Sequence, residues 1–278
     1  MTDRLEQTFV RMAAYLPFSL VAVVFYVAGA SWVALRLLGK APERARLVRF
    51  TGLVAVLAHA GALHGHLGLA DGISLGLFEV ASLANWLICV FILIASLRHP
   101  TLNLAALLFP LAAIFVLIGQ FADGGARMPR SEDGLLFHIL ASLSAYSLFA
   151  LASVQALLLA AQNHQLKHHH LKGLIGVLPP LQTMERLLFD LLLAGQLLLT
   201  VGIASGFIFL DNMFAQSMAH KTLLSLAAWI TFGFLLIGHW RFGWRGMTAV
   251  RWTLGGSLLL LLAYFGSRFV LQFILGQS

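Results

Sequence analysis

Charge is scarce in this chain of 278 residues, of which only 10% are Asp, Glu, Lys or Arg. A soluble domain covers its surface with about 25% of such residues, so a water-soluble fold is excluded. Cysteine is nearly missing too. The single thiol, Cys89, lies in the apolar run LANWLICVFILIAS, which rules out an internal disulfide and a CxxC redox pair. There is no Gly-rich phosphate loop, no HExxH and no GxSxG. A hydrolase or an ATPase would have no residues to work with. Acidic residues are fewer than basic ones, which leaves a net charge of +7. The basic residues nevertheless fall in short clusters between apolar runs, with no basic face or arm for nucleic acid.

What the chain does have is apolar length. Hydrophobic residues make up 60% of it, and its mean hydropathy is +0.89. Inside a bilayer each span must satisfy its own backbone, which allows helices or closed barrels. Barrel strands would show short alternating segments, whereas these runs are continuous. The expectation is therefore an all-α polytopic transmembrane bundle. About eight stretches reach the 20 or so residues a span requires, at roughly 16–38, 50–69, 75–97, 101–119, 135–160, 188–210, 222–240 and 252–273. The first stretch is longer than the 7 to 15 residues of a signal core, so it reads as a retained span. Short joining segments leave no room for a soluble domain, and residues 1–278 read as one membrane domain of a bacterial inner membrane.

Orientation follows from the basic residues. Twelve of the 18 lie on one side, around segments 39–49, 162–186 and 241–251, and six on the other. The richer side is expected to be cytoplasmic, which makes both termini periplasmic. Trp229, Trp240, Trp244 and Trp252 bracket the link between spans seven and eight, as an interfacial aromatic belt would.

Eleven histidines among so few other polar groups form the main chemical signal. An imidazole in a bilayer is costly unless it has a partner or a ligand. His59 lies near the middle of span two, and His66 follows seven residues later. At 3.6 residues per turn the two share nearly one helix face, about 10 Å apart, with His64 rotated away. His138 opens span five and His239 closes span seven, near opposite membrane faces. Imidazole is a common ligand of haem iron, and Arg241, Arg245, Arg127 and Arg130 near span ends suit acidic propionates. Blander readings compete with these. His59 can make an ordinary interhelical hydrogen bond, His138 and His239 can be interfacial, and His64 and His66 can face outer water. His99 and His220 read as interfacial loop residues. The run of His164, His168, His169 and His170 reads as a solvated loop or a metal site. Glu79 and Asp190, in or beside spans, are candidate proton-relay groups.

FHILASLSAYSLF (137–149), PPLQTMERLLF (179–189), GHWRFGWRG (238–246), AYFGSR (263–268) and the earlier LAHA (57–60) carry a resemblance. With these segments the chain resembles the cytochrome c assembly protein family, and within it the YpjD inner-membrane subgroup. The resemblance implies a haem-handling membrane protein that binds haem b. It places His138 as an outward-facing haem ligand and His239 as a ligand within the membrane, and His59 matches a position of the subgroup. The chain departs from the family's haem-transfer members in two places. Their Trp-rich motif between the spans equivalent to six and seven is replaced by DNMFAQSMAHKT (211–222), and the segment after the last glycine-aromatic stretch, FVLQFILGQS (269–278), has no histidine. Haem binding is therefore expected without full haem delivery to apocytochrome, and without turnover chemistry of the protein's own. The expected ligands are His59, His138 and His239, with His66 in reserve and Arg241 and Arg245 at the propionates. The expected partners are the lipid bilayer and a haem-receiving or haem-synthesis protein, with no nucleic acid. The alternatives are a HemX-like regulatory or scaffolding protein with structural histidines, or a small-molecule transporter.

Overall fold

A computed structural model describes residues 2–67, 73–74, 76–121, 127–128, 133–167, 178–209 and 219–263. The expected helices are there. They are α1 (Thr2–Leu37), α2 (Ala45–Leu67), α3 (Leu77–Ala95), α4 (Ala105–Phe121), α5 (Asp133–Lys167), α6 (Leu181–Phe209), α7 (Ala219–Phe242) and α8 (Met247–Leu261). A short 3-10 turn, Thr101–Leu104, leads into α4. Among the described residues, seven helical stretches are long and apolar enough to cross a membrane, and Met247–Leu261 is a shorter apolar helix. Residues 264–278, which hold the rest of the expected eighth span, lie outside the described residues. The polypeptide is an all-helical, multi-pass membrane protein. Its one extended feature among the described residues is a pair of two-residue strands, with Ile73 opposite Met128 and Ser74 opposite Arg127.

The chain divides into two compact units: Met1–Ser131 with Lys172–Leu178, and Glu132–Leu171 with Pro179–Ser278. In the first, α1, α2, α3 and α4 pack through small residues. Lipid supplies no hydrophobic drive between helices, so close backbone approach has to supply van der Waals contact. A β-carbon on Gly52 would lie 2.8 Å from Leu93 and 2.9 Å from Phe109, and one on Gly29 would lie 2.8 Å from the Thr51 hydroxyl. Phe109 is fully buried and its ring sits 5.2 Å from that of Tyr26. At one end of this unit, Arg36 bonds Asn103 at 2.9 Å and Glu43 at 2.7 Å, and Arg49 bonds the Ser96 carbonyl at 2.7 Å. Those guanidinium groups tie helix ends together at the point where the apolar stretches stop.

The second unit contains α5 to α8. Phe149 of α5 and Phe232 of α7 stack at 3.8 Å with only 6° between their planes. Glycines admit them: a β-carbon on Gly195 would come within 3.0 Å of Phe149, and one on Gly256 within 2.7 Å of Phe232. Outward faces carry large apolar side chains such as Leu197, Ile208 and Ile230, as a lipid-facing surface requires.

Candidate functional site

His239 stands in the last turn of α7, and the residues after it fold back to hold it. Gly243 has φ of +67°, a left-handed conformation in which a side chain would be strained. It caps α7 with the Gly243 amide on the His239 carbonyl at 3.1 Å and the Trp244 amide on the Gly238 carbonyl at 3.3 Å. That reversal brings the Trp244 carbonyl onto the ring, where it accepts from His239 Nδ1 at 2.9 Å. Gly238 makes room for the Trp244 ring, which a β-carbon there would overlap. The other side of the imidazole is covered by Phe189 of α6, stacked at 3.5 Å and 15°. Arg241 and Arg245 flank this site and are exposed. Trp244 itself stacks with Trp252 at 6.0 Å and meets Phe234 edge-on at 5.2 Å.

His138 is held in the same way at the other end of the unit. Gly202 of α6 lies so close to α5 that a β-carbon on it would lie 2.8 Å from the Ser142 hydroxyl. This approach carries the Gly202 carbonyl to the imidazole, where it accepts from His138 Nδ1 at 2.8 Å. Ser205 contributes a second contact at 3.2 Å, with its own hydroxyl donating to the Gly202 carbonyl at 2.9 Å. In both histidines Nδ1 therefore carries the proton and Nε2 carries the lone pair. Neither Nε2 has a hydrogen-bond partner among the described residues. Both rings are half-buried. A metal-binding imidazole has this arrangement: one nitrogen donates to a carbonyl, which fixes tautomer and ring orientation, and the other faces the metal. His138 and His239 fit a haem iron by this test.

They do not fit the same iron. His138 is anchored on Gly202 and His239 on Phe189. Thirteen residues of one helix separate these contacts, which at 1.5 Å per residue is about 20 Å. Metal–imidazole bonds run about 2 Å, so two nitrogens on one iron stand about 4 Å apart. The unit thus presents two separate imidazoles, one toward each end of α6.

His59 has a different environment. Its ring is fully buried in the first unit. Nδ1 lies 3.3 Å from the Tyr26 hydroxyl of α1, and Nε2 lies 3.0 Å from the Ser82 hydroxyl of α3. Tyr26 also meets the imidazole edge to face at 5.9 Å. With both nitrogens engaged and the ring enclosed, His59 has no lone pair left for iron in this arrangement. One turn away, Trp86 donates from Nε1 to the Val56 carbonyl at 2.9 Å, so α2 and α3 are joined twice by polar contacts.

The remaining candidates separate by position. His64 is exposed on α2, and His66 belongs to α2 with its side chain outside the described residues. His164 is not in a loop but in the last turns of α5, whereas His168, His169 and His170 lie outside the described residues. No group of three or more metal-binding side chains occurs among the described residues. Glu79 is buried on the first turn of α3, and Asp190 is exposed on α6. Phe189, Ser205 and the carbonyls of Gly202 and Trp244 were not legible as parts of the sites. Only the presence of Phe189 and Trp244 in the quoted motifs pointed toward them.

The fold and its sites define a multi-pass helical membrane protein that presents two tautomer-fixed imidazoles at opposite ends of one four-helix unit. Residues 47–275 match the cytochrome c assembly protein family. The chain is 33% identical over 261 residues to the inner membrane protein YpjD of Escherichia coli K12, covering 92% of this chain and 98% of that one. It is also 33% identical over 196 residues to a 28.8 kDa protein in a nifR3-like 5' region of Azospirillum brasilense, covering 67% of this chain and 71% of the other. The chain belongs to the cytochrome c assembly protein family, and it is a multi-pass inner-membrane protein. No solved structure matches it.

Proposed function

We propose that this chain binds and handles haem b, with His138 and His239 as the histidines that would hold it at two separate sites. The observation that carries the reading is their shared geometry: each donates Nδ1–H to a backbone carbonyl and leaves Nε2 without a partner among the described residues. Membership of the cytochrome c assembly family supports it. Bound haem supplies an iron that takes up imidazole nitrogen. The protein's part is to orient that nitrogen, to offer apolar walls such as Phe189, and to hold propionates with Arg241 and Arg245. His59 is assigned here to the core, where it links α1, α2 and α3 through Tyr26 and Ser82. The departure at residues 211–222, where tryptophan is missing, supports binding or passing of haem without presentation to apocytochrome.

The test is an absorption spectrum of protein purified from haem-replete cells, alongside His138→Ala and His239→Ala. A Soret band in the wild type, altered in each variant, supports the assignment. Wild-type protein without haem overturns it. A second reading, a HemX-like regulatory scaffold whose partners carry the activity, is favoured by the fully satisfied His59, and it predicts such a haem-free wild type.

A further inference from the structure

Glu185 lies on the first turns of α6, four residues before Phe189, in the segment PPLQTMERLLF. Its carboxylate Oε1 accepts from the backbone amide of Gly246 at 2.7 Å. It forms no ion pair among the described residues. An acid spent on a single backbone amide, although Arg245 directly precedes that glycine in sequence, points to a role in shaping the chain. The amide it holds belongs to a glycine with φ of +56°, which starts α8 without a side-chain cap of its own.

Resting on the haem reading of His239, we infer that Glu185 is a positioning residue: it fixes the 243–246 turn and so holds the Trp244 carbonyl on His239 Nδ1. The chain of contacts is continuous. Glu185 clamps Gly246, two residues beyond Trp244; the Trp244 carbonyl takes the His239 proton; and the lone pair is thereby confined to Nε2. α6 supplies both the clamp and the ring wall, since Phe189 lies one turn beyond Glu185. Without the clamp, the αL-type cap at Gly243 and the packing of the Trp244 ring still restrain the turn, but the Gly246 end is released and the Trp244 carbonyl is held less firmly on the imidazole. Outer groups that orient a metal-binding histidine typically contribute about 10- to 100-fold in metal affinity.

Glu185→Gln keeps an oxygen acceptor for the Gly246 amide, and Glu185→Ala removes it. Full-length protein carrying each change is compared with wild type and with His239→Ala. Haem titration with absorption spectra reads ligation, and hydrogen exchange of the peptide covering 243–246 reads the turn without haem. The alanine variant is expected to weaken the His239-dependent haem by about 10-fold or more and to speed exchange in the turn. The glutamine variant is expected to restore both, and haem bound through His138 is expected to stay unchanged in all of them. If Glu185→Ala keeps the His239-dependent spectrum and a protected turn, this inference fails while the haem reading stands. If His239→Ala leaves the spectrum unchanged, or the wild type holds no haem, the haem reading fails and takes the inference with it.

Discussion

At the scale of single residues, what separates the histidines is how many ring nitrogens the fold consumes. His59 uses two, and His138 and His239 use one each. Sequence position shows that an imidazole lies in a span, and the span's apolar character shows that the ring needs a partner. It does not show whether that partner is Ser82, 23 residues away on α3, or an iron. The distinction carries a prediction. His59→Ala strips a partner from both Tyr26 and Ser82 and opens a hole in the core. A buried hydroxyl left without its imidazole, as at Ser82, costs about 1 to 3 kcal/mol. Thermal unfolding in detergent is expected to shift to lower temperature, while haem content per folded protein stays at the wild-type level. Loss of haem from a variant that unfolds at the wild-type temperature would return His59 to the ligands.

At the scale of elements, helices were legible because apolar runs of span length have few other fates in a bilayer. Their ends were less legible. Residues 181–187 were expected in the cytoplasmic link but belong to α6, where they place Glu185 and support Phe189. Residues 161–167, expected past the end of span five, continue α5. Polar residues such as Gln182, Glu185 and Asn163 lower local hydropathy without interrupting a helix, so a hydropathy reading stops short. The GHWRFGWRG segment was visible as a motif, but its fold-back depends on a left-handed Gly243 and a ring seated on Gly238. Gly243→Ala is expected to cost about 1 to 2 kcal/mol in left-handed strain and to weaken His239-dependent haem. Gly202→Val would push Ser142 and α5 away from α6 and take the carbonyl from His138. Its expected signature is loss of the His138-dependent spectral component alone. Loss of both components would instead report collapse of the whole unit.

At the scale of the whole molecule, orientation rests on the twelve-to-six distribution of basic residues. Cysteine placed at Lys40 or Lys167 is expected to resist labelling from the periplasm, and buried Cys89 adds little background. Periplasmic labelling at either position would invert the topology. The chain is also expected not to restore c-type cytochromes in a strain lacking a haem-transfer member of the family, because residues 211–222 contain no tryptophan. The division into two units and the roughly 20 Å between the anchors of His138 and His239 were not legible beforehand. They arise from which helices pack together. That spacing makes the central claim measurable as stoichiometry: haem per polypeptide in wild type, His138→Ala, His239→Ala and the double variant, all saturated with haem and freed of excess. The account predicts that each single variant loses one site's share and keeps the other's, and that the double variant loses both. Abolition of all haem by either single substitution, or full retention in the double variant, would contradict it.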